Sequence, residues 1–257
     1  MNIQYMLTSL YTVMRKEIIR ILRIWPQTLI PPVITISLYF VVFGKIIGRD
    51  LQLIEGINYI KYIIPGLVMN AVIINSFTNT VSSFFSARMY HSIEEMIVSP
   101  MPNWLIIIGY VAGGMARGLL IGGVVILVAY CFDDINPVHY FFTIMVILFS
   151  SMLFAILGLI NGLLARNYDD ISWIPTFVLT PLIYLGGVFY PISILPEFWQ
   201  EISLFNPILY MVNAFRYGIL EISSVDPYIA LFSLLGLNVI SFISVLKMMN
   251  LGIGIRK

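Results

Sequence analysis

Six long apolar runs leave this chain few ways to fold. They cover roughly 26–47, 62–85, 104–132, 139–165, 172–190 and 228–249. A helix needs about 20 mostly apolar residues to cross a hydrocarbon core of roughly 30 Å. In lipid, backbone N–H and C=O groups must be satisfied within the protein, so only helices and closed barrels span. The runs lack the residue-by-residue alternation of a barrel strand. They predict an all-α integral membrane protein with six transmembrane helices in one domain over 26–249. With 60% of its 257 residues hydrophobic and 11% charged, against about 25% charged in an ordinary soluble domain, the chain is excluded from the class of water-soluble enzymes.

A further semi-apolar segment is interrupted by Pro196 and Pro207 and carries Glu197, Glu201 and Arg216. Proline ends or kinks helices and the fragments are too short to cross, which predicts a re-entrant or interfacial hairpin over 191–217 before the last span. Pro191, Pro196, Glu197, Trp199, Pro207 and Arg216 mark this hairpin, either as an outer gate or as scaffold.

The basic residues set the orientation. With the N-terminus inside, Arg15, Lys16, Arg20, Arg23, Arg88, Arg166, Lys247, Arg256 and Lys257 face the cytoplasm, whereas Lys45, Arg49, Lys61 and Arg216 face out. This positive-inside bias predicts cytoplasmic termini, including a tail at 250–257. Residues 1–25 place their charges after the first apolar residues and lack a small-residue cleavage site, unlike a signal peptide. Ile3, Leu7, Leu10, Met14, Ile18, Ile21 and Trp25 form one stripe, with Thr8, Thr12, Lys16, Arg20 and Arg23 on another. That pattern predicts an amphipathic helix in the headgroup plane, with a cytosolic packing helix as the other reading.

Catalytic and cofactor signatures are missing. No phosphate loop occurs: the one Gly-Lys pair, Gly44-Lys45, is followed by isoleucine, so no ATP hydrolysis is expected from this chain alone. Neither H-E-x-x-H nor G-x-S-x-G is present, and His91 and His139 flank no serine suited to intramembrane proteolysis. Lone Cys131 excludes an intrachain disulfide and a cysteine cluster. Asp169-Asp170 suits a helix start better than an acid–base pair.

Inside the spans, Asn75, Asn79 and Ser83 recur every fourth residue and make one face of the second span polar. Lipid cannot satisfy such a face, so it meets another helix or lines a conduit. The third span carries Gly109, Gly113, Gly114, Gly118 and Gly122, a pattern for close backbone approach. Its Arg117 lies about 20 Å along the helix from Trp104, and needs either a structural partner or a place in a translocation path. Between spans two and three, 86–103 predicts a short cytoplasmic helix. Ser92-x-x-Glu95 fits a capping box, Met89, Ile93, Met96 and Ile97 share a face, and Pro100 and Pro102 end it. That face either lies on lipid or docks into a partner's groove.

This layout resembles the permease subunits of ABC-2-type exporters, most closely the bacterial inner-membrane branch that includes the YadH-type permeases. The resemblance rests on Tyr168-Asp169-Asp170-Ile171-Ser172, Pro175 to Pro181, Leu185-Gly186-Gly187-Val188-Phe189-Tyr190-Pro191, Leu195 to Trp199, Asn206-Pro207 and Phe215-Arg216-Tyr217-Gly218. It implies the ABC-2 exporter fold, a homodimer of the permease, two copies of a separate ABC ATP-binding subunit, and export from the cytoplasm across the inner membrane. ATP and Mg would enter through the partner, with no cofactor bound directly. Arg88, Met89, Ile93, Glu94, Glu95, Met96, Ile97 and Pro100 would form the coupling helix. Asn75, Asn79, Ser83 and Arg117 are the candidate path, and apolar walls suit an amphiphilic, lipid-linked or drug-like cargo. A stand-alone secondary transporter or channel is the alternative, although no inverted repeat is found; a non-transporting scaffold is another.

Overall fold

The computed structural model describes residues 3–46 and 56–254, with side chains left out at 44–46. The charges of Lys45, Arg49, Asp50, Glu55, Arg256 and Lys257 therefore lie outside the described residues, as does the last residue of the first apolar run.

The described residues are overwhelmingly helical. In chain order they form α1 (Ile3–Arg23), α2 (Trp25–Tyr39, continued by a wide π-turn over Phe40–Ile46), α3 (Tyr59–Met89), α4 (Ser92–Val98), α5 (Asn103–Ala129), α6 (Tyr140–Leu164), α7 (Tyr168–Ile174), α8 (Thr180–Leu185), α9 (Glu197–Leu204), α10 (Pro207–Leu220) and α11 (Pro227–Asn250). Among the described residues, five helices are long and apolar enough to cross a membrane: Trp25–Phe43, α3, α5, α6 and α11. The central one is α3, with 72% of its most apolar window buried against 17% for Trp25–Phe43 and 22% for α11. It packs on α5 and α6, while α2 and α11 turn outward the apolar surfaces that lipid would cover.

The apolar run at 172–190 is helical but discontinuous. α7 and α8 are joined through a π-turn over Pro175–Leu179, and the helical stretch stops at Leu185. Pro175 and Pro181 each lack an N–H, so the ladder widens there. Gly187, at φ +68°, then takes the left-handed conformation that turns the chain back. The acidic pair stands in the first turn of α7, but the residue that caps the helix is Asn167. Asn167 caps it by accepting from the Asp170 N–H at 2.9 Å, and Asp170 accepts from the Arg166 N–H at 2.8 Å.

The glycines of α5 serve two different neighbours. A Cβ on Gly109 would run into Val13, and one on Gly113 would meet the Glu17 side chain at 2.7 Å. Gly114, Gly118 and Gly122 instead face Thr80, Ser76 and Val72 of α3. Across the bundle, a Cβ on Gly158 would stand 2.5 Å from the Phe77 carbonyl oxygen, a backbone atom that cannot swing aside. Gly158→Ala is expected to cost about 1–3 kcal/mol through overpacking. Gly123→Ala and Gly236→Ala, with nothing within 4 Å of the added carbon, should be neutral. Thermal unfolding of the three detergent-solubilised variants checks this.

Candidate functional site

The polar face of α3 meets α1. Ser83 donates its hydroxyl to both Glu17 carboxylate oxygens, at 2.7 and 2.8 Å. Arg20 donates Nη2 to Glu17 Oε2 at 2.9 Å and to Asn79 Oδ1 at 2.8 Å. Glu17 is fully buried, a residue that hydropathy and motif reading passed over. Its signal in the sequence is the i, i+3 pairing with Arg20, which fits the four-residue step of Asn79 and Ser83 on the facing helix.

This contact also holds one face of α1 against the bundle. Val13 lies against Gly109 and Glu17 against Gly113, so α1 and α5 advance together, four residues for four. The buried face of α1 is Val13, Glu17 and Ile21. Most of the expected apolar stripe is exposed, including Ile3, Leu7, Ile18 and Trp25. α1 is a packed element of the bundle on one side, with an apolar surface left for lipid on the other.

Asn75 departs from the Asn79–Ser83 contact. Its Nδ2 bonds back to the Ala71 carbonyl at 2.8 Å, and it borders a cavity of about 330 Å³ between α2, α3 and α5. Gln27, Thr28, Thr35, Asn70 and Arg117 give that cavity the rest of its polar lining. Arg117 Nε and Asn70 Oδ1 are buried and make no hydrogen bond. No acidic side chain pairs with Arg117 among the described residues. The expected path residues thus divide: Asn79 and Ser83 hold α1, whereas Asn75 and Arg117 line open space.

The expected cytoplasmic helix forms as α4, with differences. Its cap is His91, at φ +59°, with Nδ1 2.7 Å from Glu94 Oε1. Ser92 donates to the Ala87 carbonyl at 3.0 Å, so the capping box with Glu95 does not form. Ile93 is only 1% exposed and belongs to one buried cluster with Val13, Phe84, Ala87 and Ile106, against which Met96 and Ile97 pack. The apolar face is therefore taken by the chain's own core, because α1, α3 and α5 converge there. Outward point Met89, Tyr90, Glu94, Glu95, Val98 and Pro100, with Tyr90 at 77% and Val98 at 87% exposure. Arg88 turns inward as well. It donates to the Gly162 carbonyl at 3.0 Å and to the carbonyls of Leu163 and Ala165, satisfying orphan acceptors at the end of α6.

Arg216, in the hairpin, is a buried cation. Counted as an outward charge, it is 2% exposed, stacked 4.1 Å over the Tyr62 ring, and donates Nη2 to the Gly187 carbonyl at 2.7 Å. Tyr59 bonds the Phe189 carbonyl at 3.0 Å, so two side chains tie the Gly187–Phe189 loop to the end of α3 and to α10. Asn206, just before Pro207, accepts from the Ile208 N–H at 3.0 Å and donates to the Leu182 carbonyl at 2.6 Å. Pro207 thus opens a mostly buried α10, and Pro191 is buried. Pro196, Glu197 and Trp199 are exposed at the start of α9.

Comparison with known proteins agrees with this architecture. Residues 8–220 match the family model described as ABC-2 type transporter. The inner membrane transport permease YadH of Escherichia coli (strain K12) is 46% identical over 234 residues, 91% of each chain. Nodulation protein J of Sinorhizobium fredii is 28% identical over 180 residues, 69% of this chain and 67% of that relative. The same-named protein of Rhizobium leguminosarum bv. viciae is 24% identical over 174 residues, 67% of this chain and 66% of its own.

Proposed function

This chain belongs to the ABC-2 type transporter family, and from that premise we propose that it is the membrane permease of an ATP-driven exporter in a bacterial inner membrane. Membership implies an ABC ATP-binding partner. The observation that carries the reading is α4. It stands on the bundle through Ile93 while presenting Tyr90, Glu94, Glu95 and Val98 outward, and no phosphate loop occurs in the chain. An ATP-driven transporter whose membrane chain has no nucleotide site takes its energy from a neighbour, and a rooted helix with a free face would pass a partner's movement into α3 and α5.

In this reading two permease chains and two ATP-binding subunits assemble, and both permease termini are cytoplasmic. The broken α7–α8 stretch is the fifth of six spans, and the loop tied down by Tyr59 and Arg216 lies at the outer end of the path. ATP-driven closure of the partners pulls α4, and with it the ends of α3 and α5, changing the access of the cavity beside Arg117. Such coupling requires the two states to engage α4 differently. The cargo class that suits apolar walls with few charges is amphiphilic, lipid-linked or drug-like.

Reconstitution of the chain with its ATP-binding subunit in vesicles tests this. Uphill movement of a fluorescent amphiphile is expected only with both proteins and ATP present. Uphill transport by the permease alone, driven by an ion gradient, would instead establish a secondary transporter.

A further inference from the structure

The charges beside the α2–α3–α5 cavity do not balance. Glu17 is engaged by Arg20 and by Ser83. Arg117 lies one helical turn beyond Gly113, the residue on which Glu17 packs, yet forms no ion pair among the described residues. The one carboxylate is thus paired with Arg20 alone, and the second guanidinium, Arg117, borders a cavity of about 330 Å³. A guanidinium in the interior of an apolar span is costly unless an anion or water meets it. Its planar fork suits two oxygens of one phosphate, sulfate or carboxylate.

The remaining lining fits a headgroup. Gln27, Thr28, Thr35 and Asn75 border the same cavity, and the unbonded Asn70 Oδ1 supplies an acceptor for a hydroxyl or a protonated oxygen. Beside the row Gln27, Pro31, Thr35 on α2 stand Ile34 and Leu38, 61% and 58% exposed, which are i+3 neighbours of Pro31 and Thr35. An alkyl chain leaving the cavity would run along them. We infer that this cavity is a binding site for the anionic headgroup of an amphiphile, held by Arg117, with its tail along the exposed face of α2. As cargo recognition this rests on the transport reading above; as a binding site it stands without it.

The test uses the purified full chain in a neutral maltoside detergent, with dodecyl phosphate as probe. Dodecyl phosphate should raise the unfolding midpoint of the wild type, with half-maximal effect at a concentration at least tenfold lower than for Arg117→Gln. Arg117→Lys should fall between them, and Asn70→Leu should weaken the effect several-fold, which keeps the test alive if Arg117→Gln fails to fold. Dodecyltrimethylammonium and inorganic phosphate alone should not protect. Equal protection of wild type and Arg117→Gln, or equal protection by the cationic amphiphile, overturns the inference. Phosphatidylglycerol co-purifying with the wild type but not with Arg117→Gln identifies a resident lipid as the source. Dodecyl phosphate stimulating ATP hydrolysis of the assembled transporter identifies cargo. Failure of that assembly would count against the transport reading and leave the binding result intact.

Discussion

Glu17→Ala is expected to destabilise the chain by roughly 3 kcal/mol, the lower end of what breaking a buried ion pair costs. The carboxylate is fully buried and accepts from Ser83 and Arg20. Its removal leaves the Ser83 hydroxyl without the Glu17 acceptor and leaves Arg20 with no ion pair among the described residues. The lower end applies because the Arg20 side chain is 31% exposed and reaches water on relaxing. Glu17→Gln, which keeps an acceptor for Ser83 but removes the charge, should cost roughly half as much, since a hydrogen bond involving a charged group is worth about twice a neutral one. The effects of Glu17→Ala and Ser83→Ala should be markedly non-additive, because the two residues share one hydrogen-bond network. Thermal unfolding of the solubilised chain measures all of these. Trypsin cleavage at Arg15 and Arg23, both already exposed on the packed helix, offers a second reading, because releasing α1 should let the helix unfold around them and speed cleavage. A wild-type midpoint for Glu17→Ala would show that α1 is held by Val13 and Ile21 alone.

Why Glu17 escaped sequence reading while the spans did not follows from what hydropathy measures. The runs at 62–85, 104–132, 139–165 and 228–249 correspond to α3, α5, α6 and α11 within a few residues at each end, because about 20 apolar residues in lipid leave the backbone little choice but a helix. The run at 172–190 was read as a uniform helix although Pro175 and Pro181 lie within it; local ladder chemistry, not hydropathy, divides it. The four-residue polar step of Asn75, Asn79 and Ser83 calls for a helix partner or a conduit, and the structure divides it, with Asn79 and Ser83 on a partner helix and Asn75 on a cavity. That the partner is α1 could not be read, since the contact joins residues far apart in the chain and is made by charged groups that hydropathy scores as surface. The burial of Arg216 is illegible for the same reason: charge assigns it to the outer side, and only the fold brings up the Tyr62 ring and the Gly187 carbonyl, which give a buried cation the π face and the acceptor it needs. In α4 the amphipathic period was legible, but not which side is open, because that depends on how Val13, Phe84 and Ile106 converge.

The two faces of α4 are expected to respond oppositely to charge. Val98→Asp combined with Tyr90→Asp alters residues that are 87% and 77% exposed, more so than the neighbouring Met89 on the same outward surface. This double variant should accumulate and unfold like the wild type while losing at least tenfold in affinity for the ATP-binding subunit. Truncating or charging an interface anchor costs about 2 kcal/mol or more, and 1.4 kcal/mol already corresponds to tenfold. Ile93→Asp should do the reverse of a clean docking defect. It places a carboxylate in a buried cluster with no donor prepared for it, a cost of several kcal/mol, so the chain should lose its cooperative unfolding before association is ever measured. Glu94 and Glu95 remain on the outward face in both variants, and binding that depends on them should weaken as salt rises. Co-purification with the ATP-binding subunit, set beside the unfolding midpoint of each variant, separates the two faces. Undiminished association of the Tyr90/Val98 variant would move the docking surface off α4, and a stable, associating Ile93→Asp chain would mean that the helix stands free of the bundle.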